Sequence, residues 1–231
     1  MTSSELRQRL RGREPVFGTL IVSSSPRWFD VIRGCGLDFV FIDTEHIALD
    51  RSELSWMCQA YAAIGLPPIV RIPAPNPFAA TMALDRGAAG VVAPYMETVD
   101  QVQVLRGAVK KRPIKGRKLD GILASEVAEP DLERFMNKGT SERPLIINIE
   151  SVPAIEAMDD ILAVPDLDGL LIGRRDLSSN LGLPEQYDHP DFIEACSAVF
   201  RKARAVEIGA GIHFGESPNS RSVFSRTVPT C

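Results

Sequence analysis

Pro144-Leu-Ile-Ile-Asn-Ile-Glu150 and Leu167-Asp-Gly-Leu-Leu-Ile-Gly-Arg-Arg-Asp176 are short apolar runs that each end on an acid. Glu150 and Asp176 stand 26 positions apart, one strand–helix unit in length. Runs this short, rich in branched residues and not alternating with polar ones, read as parallel strands buried on both faces. The same pattern covers 16–22, 37–43, 68–72, 90–94, 144–150, 167–173 and 208–213. Between the runs the spacing is helical: Leu54, Met57, Cys58 and Tyr61 share one face, as do Val102, Leu105 and Val109. Strands alternating with helices and no linker predict one α/β domain, a (β/α)8 barrel of TIM type. A doubly wound open sheet is the alternative. It calls for a glycine-rich turn after the first strand, and Val22-Ser-Ser-Ser-Pro26 is not one.

In a parallel barrel the strand ends share one rim, where chemistry sits. Glu150 and Asp176 are therefore expected to converge, and a shared divalent cation is the most economical reason. Carboxylates with open positions suit Mg²⁺ or Mn²⁺, with Co²⁺ a third candidate. The competing reading is that each acid caps the helix after its strand, as Asp176-Leu-Ser-Ser could.

The 231 residues carry a net charge of −4, which argues against a nucleic-acid partner. No apolar stretch reaches the ~18 residues of a spanning helix, so no membrane partner is expected. The polar N-terminus reads as a short helix rather than a leader. Cys35, Cys58, Cys196 and Cys231 form no CxxC pair, which suits a reduced, cytoplasmic protein without a zinc site. Residues 110–118 hold six basic residues in nine and read as a solvated loop or as a lip that attracts an anion.

His46 ends the second run and could act as a general base. His213 also ends a run but reads as structural or peripheral, and His189 as a loop residue. Arg71 lies inside the third run, where a charge needs a partner. It is either an ion pair with Asp85 or Glu45, or a clamp for a substrate carboxylate. Asp85 ends a helix, where the dipole disfavours a carboxylate. Its partner is either His46, which it would orient, or a nearby arginine. None of the six lysines ends a run, so a Schiff-base mechanism is not expected.

Five segments carry a family resemblance: Phe39-Val-Phe-Ile-Asp-Thr-Glu-His46, Val70-Arg-Ile-Pro73, Leu84-Asp-Arg-Gly-Ala88, Ile149-Glu-Ser151 and Ile172-Gly-Arg-Arg-Asp-Leu-Ser178. Together the chain resembles the class II pyruvate aldolases of the HpcH/HpaI type, over roughly residues 5 to 215. That resemblance implies reversible cleavage of a 4-hydroxy-2-oxo acid to pyruvate and an aldehyde through a metal-stabilised enolate. It implies Glu150 and Asp176 as metal ligands, and His46 as the base, oriented by Asp85. Arg71, with backbone N–H groups near Arg175 and Asp176, would bind the pyruvate carboxylate. The implied assembly is a homo-oligomer. Two alternatives are another metal–enolate lyase or synthase acting on oxaloacetate or an acyl-CoA, and an inactive shortened relative.

The chain departs from the family where Gly173-Arg174 replaces Gly-Pro, and around 113–121. Seven strands are expected within 1–215, followed by an atypical tail over 216–231. The eighth strand and last helix of the barrel are expected to be missing from this chain.

Overall fold

The computed structural model describes residues 1–12, 14–139 and 142–213. The expected tail lies outside the described residues. Helix α1 (Ser3–Arg11) precedes seven strands: β1 (Gly18–Ile21), β2 (Phe39–Asp43), β3 (Pro68–Arg71), β4 (Gly90–Ala93), β5 (Leu145–Ile149), β6 (Gly169–Ile172) and β7 (Gly209–Ile212). Helix α2 (Arg27–Arg33) follows β1, α3 (Arg51–Ala63) follows β2 and α4 (Pro77–Asp85) follows β3. Three helices follow β4: α5 (Val99–Lys110), α6 (Gly116–Leu123) and α7 (Pro130–Gly139). Then α8 (Val152–Glu156) and α9 (Met158–Leu162) follow β5, and α10 (Arg174–Asn180) and α11 (Pro190–Ala205) follow β6. The sheet is wholly parallel, in the order β1-β2-β3-β4-β5-β6-β7.

The helices start where side chains can bind their first free amides. Asp50 accepts from Ser52 and Glu53 in a capping box at α3, and Thr98 makes the same box with Gln101 at α5. Asn76 caps α4 ahead of Pro77, whose fixed φ suits the first helical position. The apolar stripes read from the sequence, Leu54–Tyr61 and Val102–Val109, are buried against the outer face of the sheet.

The sheet curls strongly. The ring of Phe41 on β2 meets His213, just past β7, edge to face at 5.6 Å, although five strand spacings in a flat sheet would separate them by ~24 Å. Among the described residues β1 and β7 are edges and no eighth strand joins them, so the barrel is open along that seam.

Alternation sorts each strand. Val40 and Ile42 of β2 face the helices, while Phe41 faces inward with Ile69, Val92 and Ile146. Leu6 of α1 packs into that inner cluster and is 1 % exposed, a burial worth ~1.5–3 kcal/mol. Ser3 donates to the Ala89 carbonyl at 2.5 Å, Arg7 to Asp168 at 2.8 Å and Arg11 to the Leu167 carbonyl at 2.8 Å. These partners precede β4 and β6, so α1 covers the rim where the strands begin. The opposite rim, where the strands end, carries the inward-facing polar side chains.

The basic run 110–118 is not a lip over that second rim; its residues 115–118 are exposed, and the residues before them are tied down. Lys110 ends α5 on the strand-start side, buried against Asp168 at 2.5 Å. Lys111 pairs with Asp166 at 3.1 Å and Arg112 with Asp85, and Gly116 to Lys118 already belong to α6. Nor does any helix among the described residues have the length and apolarity to cross a membrane.

Candidate active site

Period-2 alternation carries Asp43 of β2, Arg71 of β3, and Asn148 and Glu150 at the end of β5 to the strand-end mouth. Asp43 and Arg71 are register partners on adjacent strands. The guanidinium forks onto Asp43: Nε donates to Oδ1 at 3.0 Å and Nη2 to Oδ2. Nε also lies 3.2 Å from Glu45 Oε2, and the cation sits 5.6 Å from the centre of the Phe41 ring. Burial opposes both charges, but the fork outweighs it. Asp43 is held below the usual carboxylate range and Arg71 above its ordinary value. The remaining guanidinium nitrogen, Nη1, makes no hydrogen bond among the described residues.

Glu150 is 4 % exposed and has no ion-pair partner among the described residues. Its Oε2 accepts from the Tyr95 N–H at 2.8 Å and its Oε1 from Asn148 Nδ2 at 2.9 Å. Tyr95 presents that N–H from a left-handed backbone, φ +50°, which is uncommon for an aromatic residue. Burial raises the Glu150 pKa, the Tyr95 N–H opposes the shift, and the nearby charge of Asp176 adds to it. Glu45 is raised in the same way, by burial first, with Arg71 and His46 opposing and Asp43 and Asp176 adding. The mouth therefore concentrates carboxylates beyond what its cations neutralise.

Gly173, between β6 and α10, makes room for one of them. A Cβ there would fall on the Glu150 carboxylate, well inside van der Waals contact. Asp176 lies exposed in the first turn of α10. The first bond of that helix runs from Leu177 N to the Gly173 carbonyl. The amides of Arg174, Arg175 and Asp176 thus have no partner within the helix. The Arg175 side chain turns to Glu185 at 3.6 Å.

His46 follows β2 at the same mouth, 65 % exposed, with Nε2 3.8 Å from Glu45 Oε2. The expected orientation of His46 by Asp85 is not made within this chain. Asp85 ends α4, and a helix that leaves the top of β3 finishes at the strand-start rim; there Asp85 pairs with Arg112. Glu45 takes the place beside His46, and Asp43 is the main partner of Arg71.

Sequence reasoning had not singled out Asp43, Asn148 or Tyr95. Asp43 and Asn148 carried a usable signal, since each falls in step with inward-facing positions of its strand. The Tyr95 amide carried none.

The carboxylates fit a hard divalent cation. Glu150 is buried without an ion pair, the charge of Asp176 acts on it, and Asn148 Oδ1 is a buried oxygen with no hydrogen-bond partner. No group of three or more His, Cys, Asp or Glu side chains converges to hold a metal among the described residues. Two carboxylates with open positions are what Mg²⁺ or Mn²⁺ accepts, because these ions keep water and substrate oxygens.

An open parallel barrel with acids and an arginine gathered at its strand ends has the plan of a barrel enzyme. The family model for HpcH/HpaI aldolase/citrate lyase matches residues 17–223, and the chain belongs to this family. A 2-keto-3-deoxy-L-rhamnonate aldolase of Klebsiella pneumoniae is 31% identical over 202 residues, covering 87% of this chain and 75% of that one. An HpcH/HpaI aldolase from Desulfitobacterium hafniense superposes with a TM-score of 0.81 at 24% identity, over 97% of this chain and 87% of that one. The citrate synthase SbnG superposes with a TM-score of 0.78 at 26% identity, over 96% and 86%.

Proposed function

We propose that this chain is a divalent-metal-dependent aldolase that reversibly cleaves a 4-hydroxy-2-oxo acid to pyruvate and an aldehyde. The observation that carries this reading is Glu150, a buried carboxylate without an ion pair, within electrostatic reach of Asp176 and Arg71. Glu150 and Asp176 hold the cation, Mg²⁺ or Mn²⁺. When bound, the cation supplies Lewis-acid withdrawal of charge from the 2-oxo acid.

Arg71 is held rigid by Asp43 and offers Nη1 to the substrate carboxylate and to the enolate oxygen that develops as the carbon–carbon bond breaks. The free amides at the start of α10 take the other side of the carboxylate. His46, with Glu45 beside it, removes the proton from the 4-hydroxyl. Imine chemistry has no candidate here, because no lysine lies in any of the seven strands.

The test is exchange of the pyruvate methyl protons in deuterated water. Metal-loaded protein is expected to exchange them and chelator to stop it. Absence of exchange with Mg²⁺, Mn²⁺ and Co²⁺ alike would overturn the reading. Likeness to a citrate synthase favours one other assignment, a condensation on oxaloacetate at the same site. Turnover of oxaloacetate without cleavage of any 4-hydroxy-2-oxo acid would select it.

Gly173→Ala gives a local check. The new methyl displaces the Glu150 carboxylate, which is the end of a side chain and can move without unfolding the sheet. The expected result is a loss of metal affinity of at least about tenfold with a near-native circular dichroism spectrum. Unchanged metal titration would remove Glu150 from the ligand set.

A further inference from the structure

Strand β4 ends at Ala93, whose register partner on β5 is Ile147. Three residues on, the Met96 side chain is fully buried, and its N–H donates to the Asn148 carbonyl at 3.4 Å. The chain is therefore pinned to β5 on both sides of Pro94 and Tyr95. It turns between those anchors with Tyr95 in the left-handed region, φ +50°. The other non-glycine residues in that region, Ser125, Asp166, Glu185 and Glu207, are all polar, and Tyr95 is the one aromatic among the described residues. Strain of this kind persists only where the surroundings over-determine it. The phenol does not account for it: Tyr95 is 44 % exposed, and its hydroxyl makes no hydrogen bond among the described residues. What the conformation delivers is the backbone N–H, aimed at Glu150 Oε2 at 2.8 Å.

The two oxygens of Glu150 then face different strands. Oε2 is turned to the β4 side by the Tyr95 amide, a charge-assisted bond. Oε1 lies over Gly173, past the end of β6, where α10 begins and Asp176 follows three residues on. We propose that Tyr95 is a positioning residue whose left-handed backbone, rather than its side chain, holds Glu150 by Oε2 and so leaves Oε1 as the oxygen presented to the cation. This rests on the metal reading of Glu150 and Asp176 and deepens it. Oε1 also accepts from Asn148 Nδ2 at 2.9 Å, but that amide hangs on rotatable side-chain bonds and its own Oδ1 has no partner. It can turn away and release Oε1. The Tyr95 N–H belongs to a backbone anchored at Ala93 and Met96 and cannot.

The experiment titrates Mn²⁺ into full-length protein and reads the dissociation constant. Tyr95→Gly keeps the N–H and adopts the left-handed turn without steric strain, so its affinity is expected to stay within about threefold of wild type. In Tyr95→Val the branched side chain drives the residue out of that region and the N–H leaves Oε2. Affinity is then expected to fall by roughly 10–100-fold, the usual effect of losing a group that orients a metal ligand. A second variant replaces the 94–95 amide by an ester, with 4-hydroxyphenyllactate in place of Tyr95, which keeps the side chain and removes only the N–H. The same loss is expected there with a near-native circular dichroism spectrum, and it decides the matter where Tyr95→Val does not fold. Wild-type-like Mn²⁺ affinity in the ester overturns the inference. So does a loss of about tenfold or more in Tyr95→Gly, which would assign the role to the phenol. Failure of the metal reading looks different: wild type itself would then bind no Mn²⁺.

Discussion

Glu150→Gln is expected to lower kcat/KM for aldol cleavage by on the order of 10³-fold or more, since it removes one of the two proposed anionic ligands and with it several kcal/mol of Lewis-acid stabilisation. The same variant is expected to be no less stable than wild type without metal. The folded-state pKa of Glu150 is raised, chiefly by burial, so its ionised form is a burden on the fold. For a carboxyl group shifted upward, that penalty is complete above the raised value. It is relieved as pH falls through that value toward the ordinary one. Glutamine keeps the shape, still accepts from Tyr95 N–H and carries no charge, so it fixes the relieved state at every pH. Thermal melts provide the check. Mg²⁺ or Mn²⁺ should raise the wild-type midpoint through binding to the native state and leave the variant unmoved. A variant that is inactive because it is unfolded would count against this account.

Asp43→Ala has the opposite signature. It leaves the Arg71 guanidinium, 11 % exposed, without its fork. Removing one partner of a buried pair costs ~3–5 kcal/mol, and the remaining Glu45 at 3.2 Å points to the lower end of that range. Pyruvate use should fall as well, because Arg71 loses the contact that aims it. The folded pKa of Asp43 is depressed. Its contribution is therefore present above the unfolded carboxylate value and is lost as pH falls through the lower folded one. Urea midpoints across the acid range should show wild type losing its advantage over Asp43→Ala toward low pH. A gap that does not depend on pH would contradict the assignment.

These two acids also show how far the sequence could be read. Glu150 sat at the end of a run of five buried residues, where a parallel strand leaves its last side chain at the reactive rim, and its placement followed from that. Asp43 ended an equally clear run, yet the histidine and glutamate just after it drew the chemical reading away. Asp85 does not meet His46 within this chain for a topological reason. Its position at the end of a βα helix already places it on the strand-start rim, and attention to the helix dipole alone concealed this. The five central strands, β2 to β6, were legible because burial on both faces leaves no polar alternation to confuse them. The helices α6 and α7 were not, since their sequence mixes a basic cluster, Pro113, Pro130 and three glycines with the apolar positions.

The register of β2 against β3, which sets Asp43 opposite Arg71, has a consequence for how the chain reaches its fold. Side chains alternate faces along a strand, so a slip of β2 by one residue would drive Asp43 into the apolar layer under the helices and leave Arg71 at the mouth without its fork. It would also turn Val40 and Ile42 toward the wet mouth. The mispaired sheet would be penalised at every one of these positions at once. The two residues that prepare the mouth for a substrate thus also act as a proofreading device during assembly, rejecting the wrong alignment before any ligand is present.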